Sequence, residues 1–353
     1  MMSRISRNNQ SFRAFHRRLH EWYDKHGRKN LPWRQTDDPY AIYISEIMLQ
    51  QTQVATVLER YYLPFLKRFP TLGKLAAAKQ NDVLTAWQGL GYYNRAINSH
   101  TAAKNCAGAL PESVEKLMEL PGIGRNTAHA VAAFAYRQKV AVMEANVKRV
   151  LARIFALETP VDPELWDKAA QLLDAKNPFD YNQAMMDIGA MVCTRRKPRC
   201  SECPANEICE GKAAPEAYPA AKKKKITPVR RKHIIVLQNK AGKYFAVPRQ
   251  TKFLNGLYCF VEMDASPPPI GGRLGGGRNR ESLPKFAPTL TLPLKGREPL
   301  KLGHIRQQYS HFTLEADVWL ENVAEQGKKN WYSLAQLKKL PMSMAEKKVL
   351  ELL

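Results

Sequence analysis

The chain has 353 residues, 44% of them hydrophobic, which is enough for real cores and, by length, for about two domains. Lys plus Arg number 55 against 32 for Asp plus Glu, a formal net charge of +23 that favours a polyanionic partner, nucleic acid first. No apolar run nears the ~20 residues that cross a bilayer, no apolar h-region marks a signal peptide, and no basic amphipathic anchor suits a membrane surface.

Phe12, Phe15, Leu19, Trp22 and Tyr23 recur at helical spacing and predict a first helix over residues 11–26. A basic loop, Gly27 to Asn30, leads into Leu31-Pro32-Trp33-Arg34. Asp38-Pro39 is a helix start, a capping residue followed by Pro in the first turn. That helix runs through Ala41 to Leu49, and Glu46 is the one charged residue between Asp38 and Glu59. Two readings of Glu46 stand open: a desolvated carboxyl with a raised pKa, or an exposed Glu on a polar face. Helical patterns continue over 56–69 and 81–87, break at Gly89-Leu90-Gly91-Tyr92-Tyr93-Asn94-Arg95, and resume toward Gly108.

Ser113 to Glu119 reads as a short helix, and Arg125 to Tyr136 as a second one rich in Ala. Between them lies Leu120-Pro121-Gly122-Ile123-Gly124. Pro121 stops the first helix, and Gly122 and Gly124 allow backbone geometry that other residues resist. The predicted unit is a helix-hairpin-helix whose turn offers free N–H groups at a helix N-terminus, a phosphate site that needs no side-chain charge. An ordinary helical hairpin with a Gly turn is the plainer alternative. Further helices are expected over 147–155, 163–174 and 181–193, so the first 200 residues read as nearly all helix.

Four of the six cysteines form Cys193-x6-Cys200-x2-Cys203-x5-Cys209. Four thiolates so spaced hold a structural zinc or an iron–sulfur cluster, and spacing alone leaves both open. Cys106 and Cys259 are isolated and read as core thiols; this usage fits a reducing compartment rather than a disulfide framework. Arg195, Arg196, Lys197 and Arg199 crowd the loop and suit a phosphate backbone. Residues 210–232 turn to Ala, Pro and Lys, a linker signature. After it the period becomes two: strands are expected over 233–237, 243–247, 257–261 and 312–320, with a terminal helix over 345–353. Ala265 to Pro299 interrupts this α+β domain with Pro, Gly, Arg and Leu in no regular period, and reads as a disordered insertion.

The hairpin, followed about twenty positions on by Glu144-Ala145-Asn146-Val147-Lys148-Arg149, resembles the helix-hairpin-helix DNA glycosylase superfamily. The cysteine spacing resembles the cluster loop of endonuclease III and MutY-type enzymes. Ser45-Glu46-Ile47-Met48-Leu49-Gln50-Gln51-Thr52-Gln53-Val54, Leu31-Pro32-Trp33-Arg34, Gly89-Leu90-Gly91-Tyr92-Tyr93 and Asn182 to Ala190 narrow the resemblance to MutY-type adenine DNA glycosylases. Gly256 to Phe260 and Tyr309-Ser310-His311 extend it into the distal domain, and it covers about Phe12 to Leu353 apart from the insertion.

The resemblance implies a mostly α glycosylase region with an α+β Nudix-like C-terminal domain. Residues 31–136 would form a six-helix barrel with the hairpin, and 1–30 with 137–212 the cluster domain. Residues 213–232 would link them to a recognition domain over 233–353. It implies a 4Fe-4S cluster on Cys193, Cys200, Cys203 and Cys209. The substrate would be double-stranded DNA with adenine opposite 8-oxoguanine or guanine, bound by a monomer in the cytoplasm at the bacterial nucleoid. Glu46 would protonate adenine on nitrogen-7, Glu144 would steady the sugar cation, and Asn146 would orient the pair or the water. Trp33, Arg34, Gln51, Tyr92, Gly122, Gly124 and Asn126 would contact DNA, with Gln51 and Tyr92 entering the helix. Tyr309, Ser310 and His311 would read 8-oxoguanine. Lyase relatives carry Lys where Asn126 stands; an amide forms no Schiff base, so a monofunctional enzyme is expected. The distal domain lacks the metal-binding helix of Nudix hydrolases, which favours recognition over hydrolysis. Three residues depart from the pattern: Glu144 for Asp, Ala145 for Gly and Tyr309 for Phe. They motivate a rival reading, a lesion-binding protein with an impaired site; a bifunctional endonuclease III-like glycosylase/lyase is the other.

Overall fold

The structure, a computed structural model, describes residues 4–221, 226–251, 253–265, 299–323 and 329–353. Of the predicted 265–299 insertion, residues 266–298 lie outside the described residues, as does the Lys222 to Lys225 run. Two compact units result, Met1–Ala77 with Asn98–Lys223, and Ala78–Ile97 with Lys224–Leu353. The second therefore takes in a stretch from the middle of the helical sequence, which residue pattern gave no reason to expect.

The first unit is helical. It contains α1 (Arg4–His26), α2 (Pro39–Leu49), α3 (Val54–Arg60), α4 (Tyr62–Arg68) and α5 (Leu72–Ala77). The helix α6 (Gln80–Ala86) belongs to the second unit, and α7 (Asn94–Asn105) crosses the boundary. Then come α8 (Val114–Met118), α9 (Arg125–Ala135), α10 (Ala145–Ile154), α11 (Asp162–Leu172) and α12 (Pro178–Met191). Asp38 caps α2 as predicted, its carboxylate accepting from the Tyr40 N–H at 3.0 Å. The single helix expected over 56–69 is broken at Tyr61, whose φ and ψ are −123° and −47°. Pro64 explains the break, because its ring would strike the carbonyl four residues back and it has no N–H to give.

Among the described residues, the apolar packing of this unit includes two clusters. One joins Phe15, Leu19 and Tyr23 of α1 to Met143, Val150 and Leu151 around α10, Leu165 and Leu172 of α11, and Tyr181 and Ile188 of α12. The other joins Ile42 of α2 to Ala130, Ala133 and Phe134 of α9 and to Val142. Among the described residues no helix is long and apolar enough to cross a membrane.

The second unit holds a six-stranded mixed sheet. Its strands are β1 (Val229–Asn239), β2 (Tyr244–Phe245), β5 (Val261–Asp264), β6 (Leu300–Gln308), β7 (Thr313–Val323) and β8 (Trp331–Tyr332); β3 (Val247–Pro248) pairs separately with β4 (Tyr258–Cys259). The order is β6-β7-β1-β2-β8, with β5 on the other half of β1. β1 and β7 run parallel, from Val229 opposite Thr313 to Asn239 opposite Val323, and their neighbours are antiparallel. That long pairing draws β1 back to Val229, four residues before the expected start. β6 escaped prediction because Lys301, His304 and Arg306 break up its alternation; such charges suit an edge strand. Ile234, Val236, Phe260, Leu314 and Val318 pack with Leu337 and Val349 from α13 (Leu334–Leu337) and α14 (Met344–Leu350).

Candidate active site and nucleic-acid interface

Glu46 lies on α2 among buried neighbours, Ser45 at 0% and Ile47 at 2% exposure, and is itself half-buried. Burial pushes its carboxyl up to about 8, the Glu144 charge adds to the rise, and Arg34 opposes it. The open question about Glu46 thus resolves toward a desolvated acid that keeps its proton at neutral pH.

Glu144 sits at the N-cap position of α10 in extended geometry (φ −91°, ψ 179°), and its side chain makes no capping hydrogen bond. The helix start uses its carbonyl, which accepts from the Lys148 N–H at 2.8 Å. Its carboxylate is left for other work. Burial raises its pKa, Arg28 and Arg34 pull it down, and Asp187 pushes it up. Ala145 opens α10 with no left-handed φ.

Sequence reading missed the group that braces both acids. Asp187 is fully buried and binds two guanidinium groups, Arg34 at 2.7 and 2.9 Å and Arg28 at 2.6 and 2.8 Å. Burial raises the Asp187 pKa, but the two arginines outweigh it and the net shift is downward. One buried carboxylate thus holds two cations whose fields reach Glu144, and one of them also reaches Glu46. The signal lay in the Arg28 loop and in Asp187 of the α12 motif, but only folding joins residues so far apart in the chain.

Arg34, named above among the DNA contacts, has a side chain that is 3% exposed and committed to Asp187. Trp33, named with it, is 6% exposed and packs edge-on against Tyr62 at 5.1 Å, a core position. Gln51 and Tyr92 are both exposed and both left-handed, at φ 57° and 48°, a conformation that costs a non-glycine residue energy and often marks a functional site. Gln50 anchors the chain before Gln51 by donating to the Thr127 hydroxyl at 3.0 Å.

Gly122 has φ +78°, and a Cβ there would fall 2.6 Å from Asn98 Cβ, so both conformation and space demand glycine. Gly124 differs from expectation. It is extended (φ −88°, ψ 175°), and a Cβ would meet open space. It provides the N-cap of α9 without a side chain to cap it, so the first N–H groups stay available. Asn126 is exposed beside them and lines a cavity of about 420 Å³ with Gly124, Arg125, Thr127, Asp162, Pro163 and Trp166.

Asn146 accepts from Arg149 Nη2 at 2.9 Å, and the same nitrogen donates to the Gly189 carbonyl at 2.6 Å. Arg149 Nε also donates to the Cys193 carbonyl at 2.9 Å. Gly189 has to be small, since a Cβ would come within 2.8 Å of Asn146 Cβ. Cys193, Cys200, Cys203 and Cys209 are unpaired thiols lining one pocket. Burial and the neighbouring thiols push Cys203 up to about 12 and Cys209 to about 11. Among the described residues no three metal-ligating side chains close on one point.

Arg153, also missed, is 2% exposed and donates to the carbonyls of Tyr218, Cys193, Thr194 and Arg195. It fastens both ends of the cysteine loop to α10. Replacing it with Met leaves these carbonyls unpaired and should cost on the order of 3 kcal/mol. Denaturant unfolding of Arg153→Met should show that loss; unchanged stability would remove the fastening role.

In the second unit Tyr309, Ser310 and His311 form the turn between β6 and β7, closed by the Tyr309 N–H donating to the Phe312 carbonyl at 2.9 Å. Ser310 and His311 are exposed, while Tyr309 is half-buried. The structure groups Glu46, Glu144 and Asn146 with the hairpin and the cysteines in one unit, and Tyr92 with the Tyr309 turn in the other.

Residues 44–174 match the HhH-GPD superfamily base excision DNA repair protein family, and residues 233–352 the NUDIX domain. The adenine DNA glycosylase of Homo sapiens is 41% identical over 217 residues, covering 56% of this chain and 39% of the human protein. A thermostable thymine-DNA glycosylase superposes with a TM-score of 0.54 at 27% identity, covering 58% of this chain and 98% of that one. A trapped endonuclease III–DNA covalent intermediate, at 19% identity and a TM-score of 0.50 over 60% of this chain and 98% of its own, shares the fold. The adenine DNA glycosylase of Buchnera aphidicola subsp. Schizaphis graminum is 31% identical over 357 residues, 96% of this chain and 98% of that protein. With the hairpin, the two carboxyls and the distal sheet all present, the chain belongs to the adenine DNA glycosylase family.

Proposed function

We propose that the protein excises adenine paired with 8-oxoguanine, or with guanine, from double-stranded DNA in base excision repair. The observation that carries this reading is the pair Glu46 and Glu144, two desolvated carboxyls, the first raised further by the charge of the second, beside the Arg28, Arg34 and Asp187 ion cluster. The target base leaves the stack to reach them. Glu46, protonated at neutral pH, gives its proton to nitrogen-7 of adenine, and the C1′–N9 bond breaks with its electrons leaving on the base. Glu144, ionised with the help of Arg28 and Arg34, stabilises the sugar cation, as carboxylates do in glycosidases. Asn146, held by Arg149, orients the carboxylate or the water. Water adds to C1′ and gives up a proton, leaving adenine and an intact abasic site.

Asn126 offers no amine for a Schiff base, so the enzyme is monofunctional. DNA is gripped by the uncapped N-terminus of α9 and the +23 charge, with Gln51 and Tyr92 entering the helix. Tyr309, Ser310 and His311 read the opposing base. The four thiols are the ligands of a 4Fe-4S cluster, which when bound would cross-link the loop that Arg149 and Arg153 tie to α10. The core that joins Phe15, Leu19 and Tyr23 to Met143, Leu165 and Tyr181 supports grouping 1–30 with 137–212. The protein acts as a monomer at the nucleoid.

The test is a duplex with one A·8-oxoguanine pair, analysed with and without hot alkali. Strand breaks that require alkali support the reading. Direct breaks would point to a lyase, and binding without breaks to an impaired site.

A further inference from the structure

The second unit contains two of the elements assigned above to DNA, the Tyr92 loop, which enters the helix, and the Tyr309 turn, which reads the opposing base. Both are fastened to one short segment between α13 and α14. The Leu340 carbonyl accepts from Gln88 Nε2 at 3.4 Å, and the Met342 carbonyl from the Tyr93 hydroxyl at 3.5 Å. One residue on, Ser343 Oγ lies 3.4 Å from the Tyr309 hydroxyl. Ser343 donates its own proton to Glu346, so Tyr309 is the donor in that pair.

Glu346 is 3% exposed and accepts from Arg249 at 2.7 Å, and Arg249 also binds Glu262 at 2.5 Å. The chain of donors thus ends in a buried ion network, where each hydrogen bond strengthens the next. Ser343 is 2% exposed and touches no solvent that DNA could occupy. A Phe at 309, the residue expected from the resemblance, would lack this tie.

We propose that Leu340–Ser343 is a shared strut that holds the Tyr92 loop and the Tyr309 turn in register, making Ser343 and Tyr93 positioning residues for 8-oxoguanine discrimination. The proposal rests on the repair reading, since it presumes that both loops face the opposing base. Neither residue meets the reacting atoms, so the adenine-excising groups are untouched by their replacement.

The experiment uses full-length protein and equilibrium binding to duplexes carrying a tetrahydrofuran abasic analogue opposite 8-oxoguanine or guanine. The readout is the affinity ratio between the two. Ser343→Ala and Tyr93→Phe should each lower that ratio about three- to tenfold, the worth of one hydrogen bond, with guanine-duplex affinity unchanged. The double variant should lose no more than the larger single, because both act through one strut. Because Ser343→Ala also removes a cap of α14, Ser343→Thr should restore the ratio. An unchanged ratio in either single variant, an equal loss on both duplexes, or a double variant equal to the product of the singles would overturn the proposal. Adenine release by the parent, measured alongside, separates this failure from failure of the repair reading.

Discussion

Glu46→Gln should lower the single-turnover rate of adenine release by about a hundred- to ten-thousandfold, the usual worth of a general acid, while binding to the mispair stays within a few-fold. The substitution keeps the shape of the side chain and removes its transferable proton. The contacts proposed to grip phosphate lie elsewhere, at the start of α9, and are unchanged by it. The same variant should alter stability in a way that activity does not share. Glu46 has a folded pKa of about 8, above its ordinary value of 4.5. Between those values the folded state holds a proton that the unfolded state has lost, so stability falls as pH rises through that window. Gln carries no such liability. The melting temperature of Glu46→Gln should therefore exceed the parent's increasingly from pH 5 to pH 8. Excision at the parent's rate would sink the proton-donor assignment, and a pH-independent difference in melting would show that the carboxyl is not desolvated.

Glu144→Gln should abolish excision on a similar scale, whereas Glu144→Asp should preserve or raise it. Glu places the carboxylate one methylene further from the backbone than Asp and adds a torsion. A ~1 Å misplacement of a catalytic group can cost on the order of a hundredfold in rate. Glu can nevertheless fill the proposed role. Its side chain is not spent on capping α10, and its charge is felt by Glu46. Arg28 and Arg34 oppose the burial that would neutralise it. The expectation is a slowed but genuine enzyme. Rapid excision by Glu144→Gln would mean that another group steadies the sugar cation.

Much of the fold was legible because helix signals are local. Asp38-Pro39, Ser113 and the glycine turn each marked an end that the structure reproduces within a residue or two. The strand domain was less legible. β6 carries edge charges, and the start of β1 is set by its pairing with β7, which no local pattern encodes.

At the site, motif order pointed to Glu46, Glu144 and the cysteines, but gave no sign that Trp33 and Arg34 are buried. An Arg beside a Trp in a basic loop looks like a phosphate contact. Its burial follows from Asp187, some 150 positions away, which only tertiary structure brings near. Arg153 was invisible for the same reason. Nothing in its helix distinguishes a solvated Arg from one that binds four carbonyls.

In the proposed mechanism one carboxyl must hold a proton while its neighbour is charged. The most direct test is the single-turnover rate of adenine release from an A·8-oxoguanine duplex, followed from pH 5 to pH 9. Glu46 should impose an alkaline limb, with activity lost as pH rises through about 8. Glu144, raised by burial, should impose an acid limb, with activity lost as pH falls toward its own pKa above the ordinary carboxylate value. The account predicts a bell whose alkaline limb disappears in Glu46→Gln along with nearly all activity. A rate that is flat from pH 6 to pH 9 would contradict it.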